Sequence, residues 1–132
     1  MKKLLILLLL LNSVSAITQT IKETAQAFWE ANYSGNNAII VEKGEQLIVY
    51  IDQNKVEIDS TILEIRLITA NGHSYLGNHD KSLKLNLQTL EIIEKVLGKE
   101  NPDYATSLNN IAGDYSDLGD YNKALKYNLL AL

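Results

Sequence analysis

Apolar residues recur at three- and four-residue steps along most of this chain, the spacing that gathers them on one side of an α-helix. In KSLKLNLQTLEIIEKVLGK the positions Leu83, Leu87, Leu90, Ile93 or Glu94, and Leu97 form one such stripe, and Gly98 follows it as a left-handed stop. Polar caps open the segments. Asn101-Pro102 reads as an N-cap with proline at the first helical position, and Thr61 with Glu64 in STILEIRLITA reads as a capping box. The pattern predicts helices near 18–33, 37–54, 58–75, 79–97, 102–117 and 121–132. One proline and seven glycines in 132 residues fit helices better than a turn-dense β-fold.

The segments also repeat. SYLGNHDKSLKLNLQTL, Ser74 to Leu90, lies over SDLGDYNKALKYNLLAL, Ser116 to Leu132, at an offset of 42 residues with nine of 17 positions identical. The same interval joins Gly35, Gly77 and Gly119, in the turns SGNN, LGNH and LGDY. A helical hairpin of this kind cannot bury its stripe alone and must stack on the next, so the expected fold is an all-α solenoid of about three hairpins. Small residues belong where the two helices of a hairpin approach: Ala112 and Ala124 in the third unit, Ala70 and Ser82 in the second. Phe28 and Ile40 take those positions in the first unit, which is therefore degenerate, as terminal repeats usually are. The expected units are 17–59, 60–101 and 102–132. The last is cut short in its second helix, leaving Leu125, Leu129 and Leu132 without a following helix, as in a piece of a longer array.

Residues 1–16 read differently. Lys2 and Lys3 precede eight apolar residues, Leu4 to Leu11, and Val14-Ser15-Ala16 suits a signal peptidase. Eight apolar residues are too few to span a membrane, which takes about 20. The expectation is a cleavable signal peptide, cut after Ala16, and an exported chain, periplasmic or secreted, with no membrane span after cleavage.

Composition narrows the chemistry. A net charge of −4 lacks the basic footprint that nucleic acid demands. The absence of cysteine removes disulfides, thiolate metal sites and a cysteine nucleophile. His73, read in a loose turn of ANGHSYLG, and His79, beside Asp80 at a helix start, have no evident nucleophile to serve. The acids of GDYSDLGD lack the spacing of a calcium loop. No catalytic residue, metal or cofactor is expected.

LNNIAGDYSDLGDYNKALKYNLLAL resembles the tetratricopeptide repeat: Leu108, Ile111, Ala112, Tyr115, Gly119, Tyr121, Ala124 and Ala131 fall on its signature positions. Asn128 departs from it, standing where a large apolar side chain is usual. The 42-residue interval is similar to the lengthened repeats of kinesin light chains and of exported bacterial proteins, some of which end in a CHAT-type, caspase-like protease domain. The resemblance implies a right-handed α-solenoid, with Tyr115 and Tyr121 in the core and a concave groove lined by the first helix of each hairpin.

Asn109 and Asn110 stand in succession in a helix interior, where asparagine is disfavoured because its amide competes for backbone partners. The resemblance makes Asn110 the residue that grips the backbone of an extended peptide; the other reading is a solvated face, or an amide bonded to the neighbouring repeat. Gly113 and Asp117 share that face, and the 42-residue offset carries it to Asn71 and Tyr75, then to Trp29 and Tyr33. Trp29 either joins the groove or plugs the first hairpin beside Phe28. The expected function is a non-catalytic interaction module for a peptide or protein segment, adjoining further repeats or a downstream domain. The alternatives are the recognition arm of a larger exported protease, and a structural spacer.

Overall fold

The structure, a computed structural model, describes the backbone of residues 2–132 and the side chains of residues 14–132. Among the described residues there are six helices and no strand: α1 (Lys2–Ser34), α2 (Asn37–Asn54), α3 (Ser60–Tyr75), α4 (His79–Val96), α5 (Pro102–Asp117) and α6 (Tyr121–Leu130). Each helix packs chiefly on the one before it and the one after it. That is a stack of hairpins filed in a row, not a bundle about a common centre. Most of the expected leader, residues 1–13, lies outside the residues whose side chains are described. None of the helices, among the described residues, is long and apolar enough to cross a membrane.

The three turns inside the hairpins are copies of one another. Gly35, Gly77 and Gly119 hold φ of 70°, 75° and 81°, a left-handed conformation that costs an L side chain about 1–2 kcal/mol. The next amide reaches back to close the preceding helix: Asn36 to Ala31 O, Asn78 to His73 O and Asp120 to Tyr115 O, at 2.9, 2.8 and 2.8 Å. Side-chain caps then start two of the three following helices, α2 and α6. Asn36 Oδ1 accepts from Ile39 N, and Asp120 Oδ1 accepts from Lys123 N. Asn101 caps α5 through Asp103 N at 2.9 Å, with Pro102 at the first turn, as the sequence predicts. The capping box expected at Thr61 and Glu64 is not formed. Asp59 takes the cap instead, accepting from Ile62 N at 2.9 Å, because a carboxylate one residue before Ser60 reaches the free amides first.

Packing follows from the small residues. Ala70, Ser82, Ala112 and Ala124 are all buried, so the helices of the second and third hairpins lie close. The first hairpin is filled by Phe28, Ala31, Ile40, Leu47 and Ile51, which join Ile62 and Ile65 of α3 in one cluster. Two expectations need correction here. The deepest line on α4 is Ser82, Asn86, Thr89 and Ile93, while Leu83, Leu87 and Leu90 are half-buried and Leu97 is exposed. A helix held between α3 and α5 buries the line between its two contacts, and the leucines flank that line. Tyr121 is not a core residue but 71% exposed, since it opens α6 beyond the turn; Tyr115 is half-buried and stacks on Tyr127, ring centroids 5.5 Å apart. Leu125, Leu129 and Leu132 on and beyond α6 are exposed.

Candidate functional site

A groove opens between residues of α3 and α5 near the start of α4. Its larger hollow, about 560 Å³, is lined by Asn71, Ser74, Tyr75, His79, Asn110 and Asp117. A smaller one, about 180 Å³, shares Asn71, Ser74, Asn110 and Asp117 and adds Asn86, Asn109, Gly113 and Asp114. Helix periodicity accounts for this grouping. Asn71 and Tyr75 are four apart on α3, and Asn110, Gly113 and Asp117 follow at three- and four-residue steps on α5.

Four of the side chains offered to the groove are amides, Asn71, Asn86, Asn109 and Asn110. Asn71, Asn109, Tyr75 and Asp117 are exposed, Tyr75 by 80%, and Asn110 is half-buried. A Cβ added at Gly113 would meet nothing within 4 Å, so the α5 backbone lies open there to a close-approaching chain. An extended peptide presents alternating N–H and C=O groups, and asparagine supplies one acceptor and two donors to match them.

The remaining sequence-predicted residues stand apart. Tyr33 is 90% exposed at the end of α1, and Trp29 is half-buried, set edge-on against Phe28 with centroids 5.1 Å apart. Neither lines the groove. Trp29 packs on the core of the first hairpin, which is the plug reading of that residue.

The groove also holds residues that sequence reasoning did not assign to it: Ser74, His79, Asn86 and Asp114. Asn86 was visible as a signal, because it occupies the same repeat position as Asn128, where a large apolar side chain is usual. Asn86 Nδ2 donates to Asp114 Oδ2 at 2.7 Å and lies 3.3 Å from Ser82 Oγ. Burial pushes the Asp114 carboxyl above its usual range, opposed by the hydrogen bonds from Asn86 and Ser82 and by nearby His79. A carboxyl raised in the folded state adds stability in acid, and that stability is lost as the pH climbs from the ordinary carboxylate range through the raised value.

Ser74, His79 and Asp117 have the makings of a hydrolase triad but not its geometry. Ser74 Oγ and Asp117 Oδ2 lie 3.5 and 3.4 Å from the same ring nitrogen of His79, Nδ1. A relay needs the hydroxyl and the carboxylate on opposite ring nitrogens, so no proton passes through this imidazole from one to the other. His73, expected in a loose turn, is a buried residue inside α3, with Nε2 3.0 Å from Glu45 Oε1. Asn71 and Gly72 in that stretch are helical too, and Gly72 is where α3 meets α2. A Cβ there would lie 3.1 Å from Ile40 and Val41. Among the described residues no group of three or more His, Asp or Glu side chains could hold a metal ion.

Successive helical hairpins with matching glycine turns, packed chiefly on their neighbours, define an α-solenoid repeat protein. Residues 66–132, just over half of the chain, match the tetratricopeptide repeat family. The chain belongs to that family. The match begins inside α3 and leaves the first hairpin outside it. No curated protein matches the chain significantly. Repeats of this family typically mediate protein–protein interaction and are typically non-catalytic.

Proposed function

We propose that this chain is an interaction module that holds an extended peptide segment of a partner in the groove between α3 and α5. The observation that carries the reading is the convergence of Asn71, Tyr75, Asn110 and Asp117 on one open hollow. Asn110 holds the peptide backbone, Tyr75 covers an apolar side chain, and the bare backbone at Gly113 lets the segment lie close. The 42-residue interval fits the lengthened repeats of the kinesin light chain type.

Residues 1–16 fit a signal that carries the module out of the cytoplasm. Side chains from Val14 to Thr20 are exposed, and Ile21 is packed against the core of the first hairpin, so a cut after Ala16 falls in an exposed stretch of α1. N-terminal sequencing of the exported protein should read Ile17 first; an intact Met1 in that fraction would refute it.

The groove is tested with peptides selected from a random displayed library on the immobilised protein. Asn110→Ala and Tyr75→Ala should each weaken the selected peptides about tenfold, the scale of one lost backbone grip or aromatic contact. Lys126→Ala, exposed on α6, should leave them unchanged. Peptides that ignore both groove substitutions would remove the proposal and favour a spacer.

A further inference from the structure

The floor of the groove is more polar than the fold requires. Asn86 and Asp114 are 1% and 3% exposed and face each other across the α4–α5 junction. One repeat earlier, 42 residues back, the same two positions are Gly44 and Gly72. The α2–α3 junction closes there against Thr69, Ile40 and Val41, with neither an amide nor a carboxylate at those positions. Joining successive hairpins therefore does not call for this pair.

The pair is also incomplete. The bond from Nδ2 to Asp114 fixes the orientation of the Asn86 amide, so Oδ1 is the acceptor left over. It is buried and has no partner. An acceptor unpaired in the interior is costly, and the residue that carries it lines the smaller hollow, from which a donor can come. Around it the carboxylates are those of Asp114 and Asp117, the His79 imidazole also lines the groove, and there is no lysine or arginine among the lining residues.

We propose that the hollow floored by Asn86 and Asp114 seats a cationic side chain, arginine or lysine, of the bound segment. The inference rests on the groove being the peptide site. The cation donates to Asn86 Oδ1 and to the Asp114 carboxylate, with Asp117 at the rim, and the amides around it hold the flanking backbone. It also offsets the burial that disfavours the ionised form of Asp114.

The probes are three blocked pentapeptides, two alanines on either side of arginine, citrulline or glutamate, titrated into the ¹⁵N-labelled protein. Citrulline keeps the shape of arginine and removes its charge. The arginine peptide should saturably shift the side-chain amides of Asn86 and Asn110 and bind about tenfold tighter than the citrulline peptide. Asp114→Asn and Asp117→Asn should each abolish that preference. Asp114→Asn should unfold no earlier than the wild type at neutral pH, since its new amide oxygen still accepts from Asn86, and its advantage should shrink as the pH falls through the carboxylate range. Equal binding of all three peptides in the groove overturns the cation seat and leaves the groove standing. Shifts confined to residues outside the groove, or none with any peptide up to about 10 mM, overturn both. An Asp114→Asn protein that melts earlier yet keeps the arginine preference assigns Asp114 to structure alone and also overturns the cation seat.

Discussion

Phe28→Ala should lower the thermal midpoint by roughly 10 °C or more, from a loss of about 3–5 kcal/mol. Phe28 is fully buried, and it occupies a position held by alanine in the two later units, Ala70 and Ala112. The large ring is thus the filling of the first hairpin and not an ordinary repeat residue. Ala31, Ile40, Leu47 and Trp29 are packed in the same cluster and cannot all collapse into the space it leaves. The damage should also be local, because each hairpin packs chiefly on its neighbours. Hydrogen exchange is the discriminating measurement. Amides of α1 and α2 should lose protection first, those of α5 last. Equal loss in all six helices would show a single cooperative core and count against the row-of-hairpins energetics.

Much of this was legible in the sequence because local chemistry fixes where the helices start and turn. The glycines at 35, 77 and 119 need a left-handed backbone, and the residue after each is a short polar side chain, so every hairpin turn could be placed without knowing its neighbours. The depth of burial was less legible. A period of three and four finds apolar residues, but it presumes one buried face. For α4, held between two helices, the innermost line became Ser82, Asn86 and Thr89, which reads as polar. The groove followed the same divide. Its α3 and α5 residues could be projected by the repeat interval because those helices share a register. Trp29 and Tyr33 keep the same interval on α1 but line neither hollow, and Trp29 packs on the large filling of the first hairpin instead. The Asn86–Asp114 bond joins residues 28 positions apart on different helices, a contact that no local pattern encodes.

Gly44→Ala should destabilise the chain by about 1–3 kcal/mol, although alanine is the better helix former by about 1 kcal/mol. The reason lies across the junction. A Cβ on Gly44 would overlap Thr69 Oγ1 and stand 2.9 Å from its Cγ2. Thr69 is fully buried, and its hydroxyl donates to Ile65 O at 2.6 Å, so rotation away from the new methyl would break that bond inside the core. The alternative is for α2 and α3 to part, which would open the cluster around Ile40 and Ile65. Shortening the opposing side chain separates this clash from any general intolerance of the site. Thr69→Ala alone should cost stability by leaving a void, and the double substitution should be more stable than the two single losses predict, by about 1 kcal/mol or more. Guanidinium unfolding of the four proteins measures that coupling. Additive losses would mean that Gly44 and Thr69 do not share the α2–α3 contact, and the close approach that aligns the first hairpin with the groove-bearing helices would have to be redrawn.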